Sequence, residues 1–231
     1  MSAPADTGTD NPASIPAITP YPMPAESELP ANRAAWRPDP RRAALLIHDM
    51  QRYFVNFFPA GEPATALVAN TRRLREQATE LGMPVIYTAQ PGAMSRDQRG
   101  LLHDIWGPGM SADPHGRQII DELAPTGRDV VLTKWRYSAF NRSNLAGILG
   151  DQGRDQLVIC GIYAHVGILM TALDAFSMDI EPFLVADAVA DFTPQEHRMT
   201  LGYAAGRCAV TLTTDRLVSA LRQAHPAMSI R

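Results

Sequence analysis

In RRAALLIHDMQRYF, residues 41–54, the apolar residues Ala43, Ala44, Leu45, Leu46 and Ile47 run into His48 and stop at Asp49. An apolar run of this length that ends abruptly in polar residues reads as a strand buried on both faces, the kind that parallel sheets use. Open α/β sheets bind their ligands beyond the carboxyl ends of such strands. Asp49 therefore stands where a carboxylate either caps the next helix or exchanges protons in a cleft. The residues alone support both roles.

Counting the run at 43–49, strand-like segments recur at 84–89, 129–134, 156–161, 181–186 and 208–213. Helical patterns separate them. Leu67, Thr71, Leu74, Ala78 and Leu81 repeat at helical spacing until Gly82 and Pro84 stop them. Ile119, Ile120 and Leu123 predict a shorter helix, and Leu145, Ile148 and Leu149 another. Thr193 caps a helix through Met199, Leu201 and Ala204, and Leu217, Val218 and Leu221 mark the last. This alternation predicts one α/β domain over 41–231, with a mostly parallel six-stranded sheet and helices on both faces, because right-handed crossovers place them there. Prolines from Pro16 to Pro40 bar regular helix or central strand. Ile15, Ile18, Tyr21 and Trp36 are too apolar for a free tail, so 15–40 is expected to lie as an extended arm on the domain or on a partner subunit. Residues 1–14 have little to bury and read as a disordered leader.

A formal net charge of -3 gives no basic footprint for nucleic acid or an anionic membrane surface. No apolar stretch approaches the roughly 20 residues of a membrane span. The N-terminal residues carry neither the basic nor the apolar region of a secretory signal, so the cytoplasm is the expected compartment. Cys160 and Cys208 lie in strand-like runs and read as reduced, buried thiols. There is no Gly-x-Gly-x-x-Gly after a strand and no phosphate loop. The histidines have no ligand spacing. Neither a cofactor nor a metal is expected.

Parallel strands would gather Asp49, Gln90, Lys134, the turn 161–165 and Asp187 on one rim. Each has an ordinary structural role too: a helix cap for Asp49 and Asp187, a loop hydrogen bond for Gln90, a solvated amine for Lys134. Their convergence carries the functional reading, in which an Asp49–Lys134 ion pair tunes both groups. His48 alternates with Asp49 along the strand and is expected to face away from it, as a core histidine bonded to backbone. His165 reads either as a helix-start residue or as a pocket wall. Val166, Gly167 and Ile168 hold no Ser or Cys, and no Gly-x-Ser-x-Gly elbow occurs. Covalent catalysis is thereby disfavoured, and acid catalysis by Asp49 becomes the sharper hypothesis.

HDMQRYF (48–54), YTAQPG (87–92), RGLLHDIWGPG (99–109), LTKWRYSAF (132–140), GRDQLVICGIYAHVG (153–167) and PFLVADAVADF (182–192) together resemble the isochorismatase group. The resemblance spans about 15–221 and is strongest to the phenazine-type vinyl-ether hydrolases of 2-amino-2-deoxyisochorismate. It implies a three-layer α/β/α domain, usually a homodimer, that cleaves the enolpyruvyl group of a chorismate-derived ring by general-acid catalysis. Isochorismate is the alternative substrate, and a non-catalytic binding protein on the same fold is the alternative class. The wider superfamily uses an Asp–Lys–Cys triad. The matching positions here are Asp49, Lys134 and Gly167, so amidase chemistry is not implied, and 50–61 lacks the zinc motif of nicotinamidases. The resemblance makes Asp49 and Lys134 catalytic and places Gln90, Arg99, Trp106, Tyr137, Tyr163 and Gly167 around the substrate. It also implies a cis peptide between Ile162 and Tyr163. Arg99 and Lys134 are expected to meet the two substrate carboxylates, and Trp106, Tyr137 and Tyr163 to wall the ring. A sequence ending at Arg231 is not expected to carry the C-terminal carrier domain of siderophore-pathway relatives.

Overall fold

Six parallel strands form one sheet in the order β3-β2-β1-β4-β5-β6. They are β1 Ala43–His48, β2 Val85–Ala89, β3 Val130–Thr133, β4 Gln156–Ile162, β5 Glu181–Ala190 and β6 Val210–Leu212. The computed structural model describes residues 14–225, so the leader expected over 1–14 lies outside them apart from Ser14. Side chains alternate across the sheet. Leu45, Ile47, Tyr87, Val158 and Phe183 pack under the helices Ala64–Glu80 and Thr214–Ala224. Leu46, Ile86, Leu157, Ile159 and Leu184 pack under Leu145–Asp151, Leu169–Ser177 and Pro194–Arg207. Every residue of β1 and β4 is buried because both faces are covered, which is why their sequences are apolar without alternation. The architecture is the three-layer α/β/α sandwich.

Strand order reverses between β1 and β4, and in open α/β sheets the crevice outside the carboxyl ends at that point receives the ligand. Asp49 follows β1, and the turn Ala164–Ile168 follows β4. Cys160 and Cys208 are free and buried, and burial pushes their thiols up to about 12 and about 11. At those values both are inert at neutral pH.

Two local readings are corrected. β5 continues to Ala190 instead of stopping at 186, through a register irregularity against β4. Asp187 thus lies within the strand, away from the rim, and its Oδ1 accepts from the Thr214 amide and hydroxyl at 2.7 and 2.8 Å, bonding the first residue of the helix Thr214–Ala224, whose cap is Thr213. Ile119 joins an isolated antiparallel bridge with Gln51, leaving only the 3-10 turn Asp121–Leu123 where a helix was expected. Three apolar residues are too few to nucleate a helix against a competing backbone partner.

The arm lies on its own domain, with the turn Glu26–Glu28 as its one regular element. Ile18 and Tyr21 are buried. The Tyr21 hydroxyl accepts from the Asp191 amide at 2.8 Å and meets His197 Nδ1 at 3.2 Å. Asn32 exchanges two hydrogen bonds with the Thr211 backbone. Among the described residues no helix is long and apolar enough to cross a membrane. Tyr21→Phe should leave the buried Asp191 amide unpaired at a cost of about 1–3 kcal/mol. Thermal melts should therefore drop by about 3–8 °C, whereas an unchanged midpoint would mean that the arm is anchored elsewhere.

Candidate active site

Asp49 adopts φ 52°, a left-handed conformation that Asp tolerates better than most residues. The alternation of β1 therefore breaks at its end, and His48 and Asp49 line the same pocket instead of opposite faces. Asp49 caps no helix. Its Oδ1 accepts from the Thr88 hydroxyl at 2.6 Å, and its Oδ2 accepts from Lys134 Nζ at 2.7 Å. Gln90 Nε2 stands 3.5 Å from the same Oδ2. Burial drives the Asp49 carboxyl upward, but the Lys134 charge and the bonds from Lys134 and Thr88 outweigh it and hold Asp49 below the ordinary carboxylate value. The side chains of Lys134 and Asp49 are only 3% and 7% exposed.

Arg99 ends the short helix Arg96–Arg99, whose start is fixed by a Ser95/Gln98 capping box. Its Nε donates to the Gly107 carbonyl at 3.1 Å and its NH1 to Gln90 Oε1 at 3.2 Å. Gly109 backs the guanidinium at φ 75°, where a Cβ would stand 2.6 Å from Cζ. Burial lowers the Arg99 pKa, and among the described residues no carboxylate is one of the groups acting on it. A guanidinium stays charged even so. Arg99 is thus a buried cation bonded only to neutral oxygens.

Much of the remaining lining is aromatic. Trp106 Nε1 donates to the Tyr137 hydroxyl at 2.7 Å. Tyr163 donates to the Phe54 carbonyl at 2.9 Å and packs against Phe58 and Phe192. Burial lifts the Tyr163 hydroxyl far above its ordinary value, so it serves as a wall and not as an acid. The Ile162–Tyr163 peptide is cis. Gly167 sits in the turn behind it, and the amides of Val166, Gly167 and Ile168 converge on the Tyr163 carbonyl at 3.3, 3.1 and 3.3 Å. Those amides are occupied and cannot form an oxyanion hole.

All eight residues singled out from the sequence, Asp49, Gln90, Arg99, Trp106, Lys134, Tyr137, Tyr163 and Gly167, border one open cavity. His165 does not border it. The turn instead bonds His165 to Asp191, with Nδ1 at 2.7 Å and the amide at 2.8 Å, and the ring packs on Phe192. His165, Asp191 and Glu196 form the one cluster of three metal-type donors among the described residues, but the Asp191 carboxylate already accepts three N–H groups, from His165 twice and from Phe192. Sequence reasoning missed His48, Tyr53, Phe54, Met110, Phe192 and Ile15 as lining residues. Only Tyr53-Phe54 carried a signal, as aromatics placed within one helical turn of Asp49.

Residues 43–216 match the isochorismatase domain family. The chain is 57% identical over 211 residues to an isochorismatase of Bacillus subtilis, covering 91% of this chain and 68% of that protein. It is also 57% identical over 204 residues to the phenazine biosynthesis protein PhzD1 of Pseudomonas aeruginosa, covering 88% of this chain and 98% of that one. A crystal structure of a cysteine hydrolase from Pseudomonas syringae shares the fold, with a TM-score of 0.74 at 22% identity over 84% of this chain and 98% of that one.

Lys134→Met should remove the cation that keeps Asp49 charged and cost about 3–5 kcal/mol at neutral pH. With Lys134 present, Asp49 is depressed, so its contribution is complete above the unfolded carboxylate pKa and is lost as pH falls through the folded one. Without Lys134, burial alone raises Asp49, and the sign reverses: stability is best in acid and falls as pH rises towards the new folded pKa. Melts from pH 4 to 8 should show the gap between variant and parent widening with pH. A constant gap would contradict the coupling.

Proposed function

The chain belongs to the isochorismatase family of hydrolases, and we propose that it cleaves the vinyl ether of 2-amino-2-deoxyisochorismate to pyruvate and trans-2,3-dihydro-3-hydroxyanthranilic acid. One observation carries this: Asp49 is the single carboxyl bordering a pocket that also holds the acid-free Arg99 guanidinium, and no Ser, Thr or Cys borders it among the described residues. A vinyl ether asks for such a site. Protonation of its terminal methylene carbon gives an oxocarbenium ion, water adds to form a hemiketal, and collapse releases pyruvate and the ring alcohol. The difficult step needs a general acid, not a nucleophile.

Asp49 is the acid in this proposal, and the substrate brings about its protonation. The substrate carries two carboxylates. One pairs with Arg99 in the bidentate manner that guanidinium favours. The other competes with Asp49 for Lys134. As Lys134 turns to it, the pull that held Asp49 low weakens, burial dominates, and the carboxyl takes a proton. Gln90 steadies both Arg99 and the Asp49 carboxyl, and Trp106, Tyr137 and Tyr163 wall the ring. Isochorismate is the second reading, supported by equal identity to an isochorismatase and to a phenazine biosynthesis protein. We further propose that the enzyme works as a cytoplasmic homodimer, to which the edge strand β3 with its half-exposed Val131 offers an unpaired backbone edge.

Pyruvate release measured separately from 2-amino-2-deoxyisochorismate and isochorismate tests the proposal, and the higher kcat/KM identifies the substrate. No pyruvate from either would end it. Asp49→Asn should lower kcat by about 10²–10⁴-fold, Arg99→Ala should mainly raise KM, and kcat should fall as pH rises through the Asp49 pKa of the complex.

A further inference from the structure

His48 is fully buried, and burial pushes its imidazole down to about 4, so the ring is neutral at neutral pH. Nδ1 must carry the proton, because it stands 2.8 Å from the Ile162 carbonyl, which only accepts. The same nitrogen is 3.8 Å from Asp49 Oδ2. Among the described residues Nε2 has no hydrogen-bond partner, and it points at the turn after β4. A Cβ on Gly167 would lie 2.2 Å from His48 Cε1, 2.9 Å from its Nε2 and 3.1 Å from the Tyr137 carbonyl oxygen. The backbone φ of Gly167 lies outside the left-handed range, so a side chain is excluded there by volume and not by conformation.

We infer that His48 is a specificity-determining residue, whose ring fills the space that any side chain on residue 167 would need and so confines the pocket to proton-transfer chemistry. Residue 167 borders the same cavity as Asp49 and Lys134, an acid–base pair of the kind that activates hydroxyl and thiol nucleophiles. What keeps a nucleophile out is the imidazole, pinned by Ile162 so that it cannot swing aside.

The test introduces Gly167→Cys into the parent and into His48→Asn, whose shorter side chain can still donate to the Ile162 carbonyl. Beside His48 the replacement should lower Tm by about 5 °C or more, as overpacking does, and iodoacetamide should label the new thiol slowly. In the His48→Asn background the shift should be less than about half as large, and labelling about tenfold faster or more, the factor that separates an occluded thiol from an accessible one. Cys160 and Cys208 are buried and serve as unlabelled internal controls in intact-mass spectra. Folding of the double variant alone would support the inference equally. Equal tolerance in both backgrounds, equal labelling rates, or failure to fold in both would overturn it. None of these readouts uses a vinyl-ether substrate, so their outcome is independent of the turnover assay.

Discussion

A carboxylate and an ammonium withdrawn from water at the end of a parallel sheet constrain everything around them. Asp49 and Lys134 are the residues that follow β1 and β3, with β2 between them. Desolvating both charges is costly, and their attraction offsets that cost only when the geometry is good and the remaining lone pairs are bonded. Thr88 at the end of β2 supplies one such bond, and the left-handed turn at Asp49 aims the carboxyl at its partners. The backbone ladder sets the register of these three strands, and the Asp49 carboxyl bridges their ends through Thr88 and Lys134.

That pair gives the pocket its chemical asymmetry. Its polar side is built by β1, β2 and the segment after β3, and Gln90 links Asp49 to Arg99 across it. Its apolar side is built by Tyr163, Phe54, Phe192 and Trp106, which come from unrelated parts of the chain. An anionic substrate with an apolar ring matches both sides at once. In the proposed proton transfer, the apolar side favours the neutral form of Asp49 once Lys134 turns to the substrate. The arm borders the pocket through Ile15 and also acts at a distance: Tyr21 bonds the Asp191 amide, and Asp191 holds His165 in the turn Ala164–Ile168 that carries Gly167.

Arg99 shows how a loop can position a charge without a counter-charge. The two glycines of WGPG bring a carbonyl to its Nε and leave room behind its guanidinium. Nothing in residues 99–109 taken singly marks Arg99 as buried, and a solvated helix charge is the ordinary fate of arginine. The resemblance of the whole motif pointed to it.

The strands, the helices Ala64–Glu80, Pro194–Arg207 and Thr214–Ala224, the cap at Thr193 and the buried thiols were legible along the chain, because strand burial, helical spacing and capping are chemistry between near neighbours. So was the clustering of Asp49, Gln90, Lys134 and the turn after β4, since parallel strands deliver their carboxyl ends to one rim. What escaped a local reading depended on partners far away in sequence. Asp187 and not Asp191 looked like the rim carboxylate until the pairing of β5 with β4 carried the strand past it. His48 looked turned away from Asp49 until one backbone angle, set by Thr88 and Lys134, put both on the same side. Local chemistry makes a sheet with acids and bases at its rim. Whether a given carboxyl there is a cap, an ion-pair partner or a proton donor is fixed by burial and by charges brought close from other strands.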